Sequence, residues 1–499
     1  MILVTLGLLL SFAIGALVVW MLAPRPQSPV VVVLQLALAL GIGLALTTLT
    51  HFIALHLFNG SDARLLLLDA AMLIGLCVVS MVTNRSGPSE DMGAIVSPAD
   101  STEFTPRASE RDTLLHRIIL AGTVIACICA ATSALSLFIG RPHGNWDAWA
   151  MWNMRARFLF LAGPDWRLTF GEEMTGVHPD YPLLQPLVVS RLWVLLGDDS
   201  TIIPRLTSSL FTLATAVVLF TSVARLRGMV VACVALTILV SSPVVAEEAA
   251  SQFADMPVAF YFLAATVALT SAVNAKFGIN RLLALAGLCA GCAAWTKNEG
   301  VLFTAALLVS TFVVMCKSHG LRRAIKSVIV VLAGASPMLL LVAAAKLSFS
   351  WKNDLFHERG MSHLLALLTD ASRYRAFGHW FAELLPGIIS PWMLSLMALL
   401  IVMSGWTARS PGHTLESIRN PHCLAAALTL TLVALGYTLI YLTTPHDIGW
   451  HLRTSLSRLI LHLWPSLLFV IFSGASALRA CPQNPVWHRL IAGAKQFSR

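Results

Sequence analysis

Along this chain, runs of about twenty apolar residues alternate with short polar turns, and within most runs neither a period of two nor a period of 3.6 is visible. Such a run is long enough to cross the ~30 Å hydrocarbon layer of a bilayer as a helix. Read this way, the sequence predicts thirteen spans, near 1–22, 29–58, 63–82, 114–139, 201–222, 229–245, 256–273, 281–296, 300–316, 325–347, 384–404, 422–443 and 459–478. The stretch Leu183 to Leu196 is shorter and carries Gln185, Pro186 and Arg191, which predicts a helix lying in the interface rather than a crossing. The fold class expected is therefore an all-α polytopic membrane protein.

The polar residues divide the chain. Arg85 to Asp112 is rich in Ser, Pro, Asp and Glu and reads as a flexible cytoplasmic linker over 84–112, separating a three-helix membrane module at 1–83 from a ten-helix core at 113–480 and a basic tail at 481–499. No internal repeat, no inverted pair of broken helices, no nucleotide-binding glycine loop and no HExxH motif is present.

Composition agrees with the pattern: 57% of the residues are hydrophobic and 12% charged, with a mean hydropathy of +0.77. That excludes a soluble enzyme, a disulfide scaffold and a nucleic-acid-binding domain. The formal charge of +9 is an orientation signal. Arg225, Arg227, Lys317, Arg322, Arg323, Arg409, Arg419 and the C-terminal lysine and arginines all fall on one side, which the positive-inside rule makes the cytoplasm. A crossing at 183–196 would put Arg225/Arg227 and Arg322/Arg323 outside, a second reason to keep that segment interfacial. The first 22 residues lack a basic n-region, so they are expected to stay as a span with the N-terminus outside. Cys289 and Cys292 have CxxC spacing but lie in an apolar run with no His or carboxylate nearby, so they read as small packing residues.

The candidate chemistry lies in the outer loops, 140–200, 246–255, 348–383 and 444–458, joined by the turn Thr296-Lys297-Asn298-Glu299-Gly300. These bring carboxylates, lysines and arginines to one face of the membrane, where burying charge is expensive and tends to mark function. Fixed cations suit a phosphate. A positioned carboxylate suits removal of a hydroxyl proton. Trp146, Trp149, Trp152 and Trp166 suit the interface and the faces of sugars.

Four features in this order, Asp147 after the first core helix, Tyr181-Pro182-Leu183 opening a short helix, Asp255-Met256-Pro257 at the outer start of a helix, and Thr-Lys-x-x-Gly at 296–300, resemble the GT-C glycosyltransferases. The closest groups are the protein O-mannosyltransferases and the lipid A aminoarabinose transferases. The resemblance covers 113 to about 475 and implies transfer of a sugar, with inversion, from a polyprenyl-phosphate donor to an acceptor hydroxyl of a glycan, lipid or protein on the outer face, with no nucleic acid involved. It implies that Asp147 is the general base, that Asp180 and Tyr181 stand beside the substrate, that Asp255 is the substrate-binding acidic residue of the second outer loop, and that Lys297 faces the donor phosphate. The chain departs from the family's pattern at Ala148, where Glu is common, and at Ala150, where an arginine is expected; Arg155 or Arg157 are the substitutes on the same helix. A divalent cation, Mg or Mn, is the one candidate cofactor, and no metal ligand is assigned.

Other polar residues have plainer readings. Arg453 and Arg458 are interfacial anchors or, for Arg458, a second phosphate clamp. Glu247 and Glu248 read as a wet loop, and His178, His357, His446 and His451 as loop polarity without metal-ligand spacing. Asp69 has no assigned role beyond pairing with a neighbouring helix. The rival functions are a transporter or flippase of lipid-linked glycans, a polymerase or ligase of such glycans, and a scaffold subunit. The absence of the large lumenal insert of the eukaryotic mannosyltransferases suggests a bacterial inner membrane with the site toward the periplasm.

Overall fold

The computed structural model describes residues 1–58, 64–85, 110–171, 178, 180–275, 278–349, 361–390, 394 and 421–474. Every regular element among them is a helix. The long helices are α1 (Ile2–Leu22), α2 (Pro29–Leu57), α3 (Leu65–Arg85) and α4 (Glu110–Gly140). After a five-residue π-turn (Ala148–Trp152) come α5 (Asn153–Leu161), a 3-10 turn (Gly163–Phe170) and α6 (Leu184–Leu196). The core continues with α7 (Ile202–Arg227), α8 (Met229–Val240), α9 (Pro243–Ser251), α10 (Asp255–Asn274), α11 (Ile279–Thr296), α12 (Asn298–His319) and α13 (Leu321–Phe349). It closes with α14 (Met361–Thr369), α15 (Ala371–Ile388), α16 (Pro421–Thr443) and α17 (Ile448–Gly474).

Eleven of these are long and apolar enough to cross a membrane, twelve if α8 and α9 count as one bent span. The chain is an integral membrane protein of all-α class. Two expected elements differ, and a third falls largely outside the described residues. The span predicted at 229–245 breaks at Ser241-Ser242, where Pro243 restarts a helix bent by 64°, because proline fixes the first turn of a new helix and cannot continue the old one. The span predicted at 384–404 lies largely outside the described residues, as do most of the 84–112 linker, residues 350–360 of the outer loop and the 481–499 tail. The last helix begins at Ile448 rather than 459, so the loop expected over 444–458 shrinks to a turn and Arg453 and Arg458 ride on helix.

Where backbones approach most closely the contact residues are glycines. A Cβ on Gly15 or Gly43 would collide with the backbone of the facing helix in the α1–α2 pair, and one on Gly287 or Gly334 with the backbone across the α11–α13 pair. With lipid tails as apolar as leucine, close van der Waals approach through small residues is what holds membrane helices together. Cys289 and Cys292 pack fully buried in α11, as free thiols.

The three N-terminal helices pack into the core. Tyr261 of α10 donates to the Gly41 carbonyl (2.8 Å), and Trp295 of α11 donates to Thr48 Oγ1 (3.0 Å). Asp69, in α3, ion-pairs with Arg191 of α6 and accepts from Thr50, all three buried. Helix α6 takes its place in the first outer loop, but eleven of its residues are buried between α1, α2, α5, α7 and α11, so its polar Gln185 and Arg191 face protein.

Candidate functional site

Five segments bring their ends to one end of the bundle: the turn after α4, the turn before α6, the α9–α10 corner, the α11–α12 turn and the first turns of α17. Each is placed by a local device. Gly144, at φ +77°, sits so close to the Ser251 carbonyl that a Cβ would clash; the Asn145 N–H then donates to that carbonyl (3.2 Å), pinning the Asp147 turn to the α9–α10 corner. Lys297 is the single extended residue (φ −150°, ψ 158°) between α11 and α12, ending one helix and starting the next. Gly300 has no room for a Cβ against the Ala293 carbonyl, which is the physical reason that the turn carries glycine three residues after its lysine. The turn projects Lys297 into the protein, 4% exposed.

Two ion pairs form the centre. Asp147 pairs with Arg458, whose guanidinium lies over the Phe253 ring (5.6 Å to the centroid). Asp255 pairs with Lys297 (3.0 Å) and accepts from His462 Nε2 (2.8 Å), while His462 Nδ1 meets the Tyr437 hydroxyl (3.1 Å). Lys297 also reaches Glu299 (3.1 Å) and stands 5.4 Å from the centroid of Tyr181. Burial alone would drive the Lys297 ammonium toward neutrality; Asp255 and Glu299 outweigh it and hold the pKa above the usual lysine range, so the cation persists at any physiological pH. Burial raises the Tyr181 phenol, reinforced by the Glu299 charge, so the hydroxyl stays protonated.

Tyr181 is fixed from behind. Its carbonyl accepts from Arg155 (2.9 Å), a fully buried guanidinium that burial pulls down to about 10 against the opposing charge of Asp180. Asp180 accepts from Asn298 (2.8 Å), whose own carbonyl oxygen takes a bond from Lys346 near the end of α13 (3.1 Å). Asp147, Arg458, Asp255, Lys297, Tyr181, Asp180 and Arg155 thus form one connected neighbourhood. Arg157 does not join it: two residues beyond Arg155 on a helix, it points elsewhere and pairs with Asp199 (2.7 Å).

Some expectations are corrected here. Trp152 and Trp166 are fully buried and serve the core, whereas Trp146 and Trp149 remain 64% and 49% exposed. Glu247 and Glu248 sit on α9 rather than in a loop: Glu247 is half-exposed and pairs with Arg141, whereas Glu248 is 6% exposed and its Oε2 has no hydrogen-bond partner among the described residues. Arg453 stacks on Trp380 (4.5 Å to the centroid). His357 lies outside the described residues; His178 packs edge-on against Tyr181, and His451 meets Thr444 Oγ1 (3.0 Å). His462, Tyr437, Asn298 and Lys346 were not legible as site residues, because His462 and Tyr437 sit inside apolar runs and only the packing of α10 against α16 and α17 brings them to Asp255. No group of three His, Cys, Asp or Glu among the described residues is arranged to hold a metal ion.

A buried lysine held charged, an arginine on an aromatic face and carboxylates between them can bind an anion and accept a proton in a space largely shielded from water. No curated protein and no solved structure matches the chain. Residues 180–347 match the profile of the dolichyl-phosphate-mannose-protein mannosyltransferase family, a segment that includes Asp180, Tyr181, Asp255 and Lys297. The chain therefore resembles the GT-C glycosyltransferases in sequence as well as in its all-helical membrane architecture, and the match supports a membrane glycosyltransferase that draws on a lipid-linked sugar donor.

Proposed function

We propose that the protein moves a sugar from a polyprenyl-phosphate donor to an acceptor hydroxyl on the outer face of the membrane, with inversion at the anomeric carbon. The observation that carries this reading is the pairing of Asp147 with Arg458 beside the buried Asp255–Lys297 pair, two carboxylates and two cations held together by elements far apart in the chain.

Lys297 and Arg458 bind the donor phosphate. As the phosphate enters, Arg458 shares its donors between the phosphate and Asp147, which loosens the ion pair and frees a carboxylate oxygen for the acceptor hydroxyl. The acceptor hydroxyl oxygen then attacks the anomeric carbon from the face opposite the phosphate. The new C–O bond forms as the C–O bond to phosphate breaks, the proton passes to Asp147, and the electron pair leaves on the lipid phosphate, whose charge the two cations stabilise. Asp255, anchored by His462, keeps Lys297 aimed. Asp180 and Tyr181, fixed by Asn298 and Arg155, line the path to the sugar. Any Mg or Mn ion would have to draw on Asp147 or Asp255, both of which already hold cations. We place the protein in a bacterial inner membrane with this end toward the periplasm, because the basic turns collect at the opposite end.

The test is mass spectrometry of envelope glycans and lipid-linked sugars in a null strain restored with wild type, Asp147→Asn or Lys297→Ala. The transferase reading expects one sugar missing from a glycan while its lipid donor accumulates, with Asp147→Asn inserted normally and Lys297→Ala, which strands the buried Asp255, compared at its own protein level. A null strain with unchanged glycans would refute it and leave transport of a lipid-linked substrate as the better account.

A further inference from the structure

A shallow, partly open cleft of about 100 Å³ lies beside the segment that follows Asp147, lined by Trp149, Asn153, Arg157, Trp193, Asp199 and Gln252. We propose that this cleft binds the acceptor and that the acceptor is a saccharide; the inference rests on the transferase reading above and names the substrate class for it.

Four observations point to a sugar. The aromatic wall is formed by Trp149, half exposed, with Trp146 set edge-on to it at 4.3 Å between centroids. A pyranose ring has an apolar C–H face that covers such a surface and a hydroxyl rim that demands polar partners. Those partners are present as fixed pairs. Asn153 donates to the Gln252 side chain (2.9 Å), Gln252 donates to the Pro142 carbonyl (3.2 Å), and Arg157 binds Asp199 (2.7 Å). The Asn153 carbonyl oxygen is buried and takes no hydrogen bond among the described residues, an unmet acceptor at the cleft wall that a ligand hydroxyl reaches only if the Asn153 side chain turns outward.

Charge separates this cleft from the donor site. Arg157 and Asp199 cancel, so the cleft favours a neutral ligand, whereas Lys297 and Arg458 present cations to an anion. The backbone is built to hold the arrangement. The π-turn Ala148–Trp152 sends Trp152 into the core and leaves Trp149 outside, and such turns are frequent at functional sites. Gln252 holds a left-handed conformation (φ 62°) that a residue with a Cβ rarely adopts, and its side chain ties the two walls together. Trp149 follows Asp147 by two residues, so their Cα atoms lie within about 7.6 Å by chain geometry alone. Side chains two apart on a helical turn diverge, so an acceptor stacked on Trp149 must be long enough to reach round the turn to the carboxylate.

The experiment uses the full-length protein in lipid nanodiscs and, as probe, oligosaccharides released by mild acid from the envelope of a null strain. Saturation-transfer NMR reads binding without turnover. The proposal expects saturation of sugar ring protons by wild type, an affinity weakened roughly ten- to hundredfold in Trp149→Ala and Asn153→Ala, and most of it kept in Trp149→Phe. In turnover, Trp149→Ala raises KM for the saccharide acceptor by a similar factor while KM for the lipid-linked donor moves less than about twofold. Absent saturation transfer, saturation undiminished in Trp149→Ala, or sugar transferred to a Ser/Thr peptide but not to the oligosaccharides overturns the saccharide site. Unchanged glycans in the null strain would instead refute the transferase reading, so the two failures are told apart.

Discussion

Asp147 and Arg458 stand 311 residues apart in the chain and meet in an ion pair. Replacing the carboxylate by its uncharged isostere removes the proton acceptor and leaves the shape. Asp147→Asn is therefore expected to lower the rate of sugar transfer about 10²- to 10⁴-fold while the protein still folds and inserts, because the amide oxygen can still accept from the Arg458 guanidinium. Transfer from a radiolabelled lipid-linked donor measures it; a rate within threefold of wild type would remove Asp147 from the role of base. Lys297 poses the opposite case. Its partner Asp255 is fully buried, so Lys297→Met leaves a buried carboxylate with only His462, and a loss of about 3–5 kcal/mol in unfolding stability is expected together with the loss of transfer. Scanning calorimetry in detergent reads the first effect. Stability equal to wild type would mean that Asp255 can lose its charge without cost.

At the scale of the element, the α11–α12 turn shows how helix packing sets chemistry. The direction of Lys297 depends on one extended residue followed by a helix that restarts against the backbone of the previous one, and Gly300 is the point of contact. Gly300→Ala puts a methyl group into the Ala293 carbonyl, so a cost of about 1–3 kcal/mol and a misplaced lysine are expected, with KM for the donor raised. Gly122→Ala in α4 is the matched control. Nothing lies within 4 Å of its Cβ position, and alanine there is expected to be neutral or to stabilise by up to about 1 kcal/mol. Equal effects at the two positions in a thermal-shift assay would show that the close approach at Gly300 is unimportant. The same element-level reading explains why Arg155 and Arg157 part company. Two residues apart on a helix point in different directions, so one braces Tyr181 and the other pairs with Asp199.

Across the whole molecule, the first three helices are part of the structure that holds the site. Arg191 on α6 binds both Asp69 on α3 and the Gly7 carbonyl on α1, and α6 follows directly on Asp180 and Tyr181. Arg191→Met strands Asp69 in the interior and is expected to destabilise the protein by about 3–5 kcal/mol, whereas Arg191→Met with Asp69→Leu recovers most of that loss, because two apolar groups need no partner. A double variant no better than the single one, compared by thermal unfolding, would show that the pair does more than neutralise a buried charge. A chain beginning at residue 86 exposes α6, α7, α10 and α11 where α1 and α2 now cover them, and it is expected to fail to insert as a folded protein.

Much of this was legible in the residues. Crossing a bilayer needs about twenty apolar residues in a row, a one-dimensional property, so the all-helical membrane class and most of the spans could be read directly. The bend at Ser241-Ser242 and the early start of α17 could not, since a helix with arginine and histidine on one face is apolar enough only when its neighbours cover that face. Asp147, Asp180, Asp255 and Lys297 could be picked out because charge at a membrane boundary is costly and these residues sit in turns of recognisable pattern. His462, Tyr437 and Lys346 stood hidden inside apolar runs, and Glu248 looked like loop, because whether a polar side chain meets water or a partner is decided by other helices. Sequence by itself determined that the chain folds as membrane helices and gathers its charges at turns. The fold decided which charges pair and that the N-terminal helices wall the same core, since contacts between residues hundreds of positions apart leave no trace in local pattern.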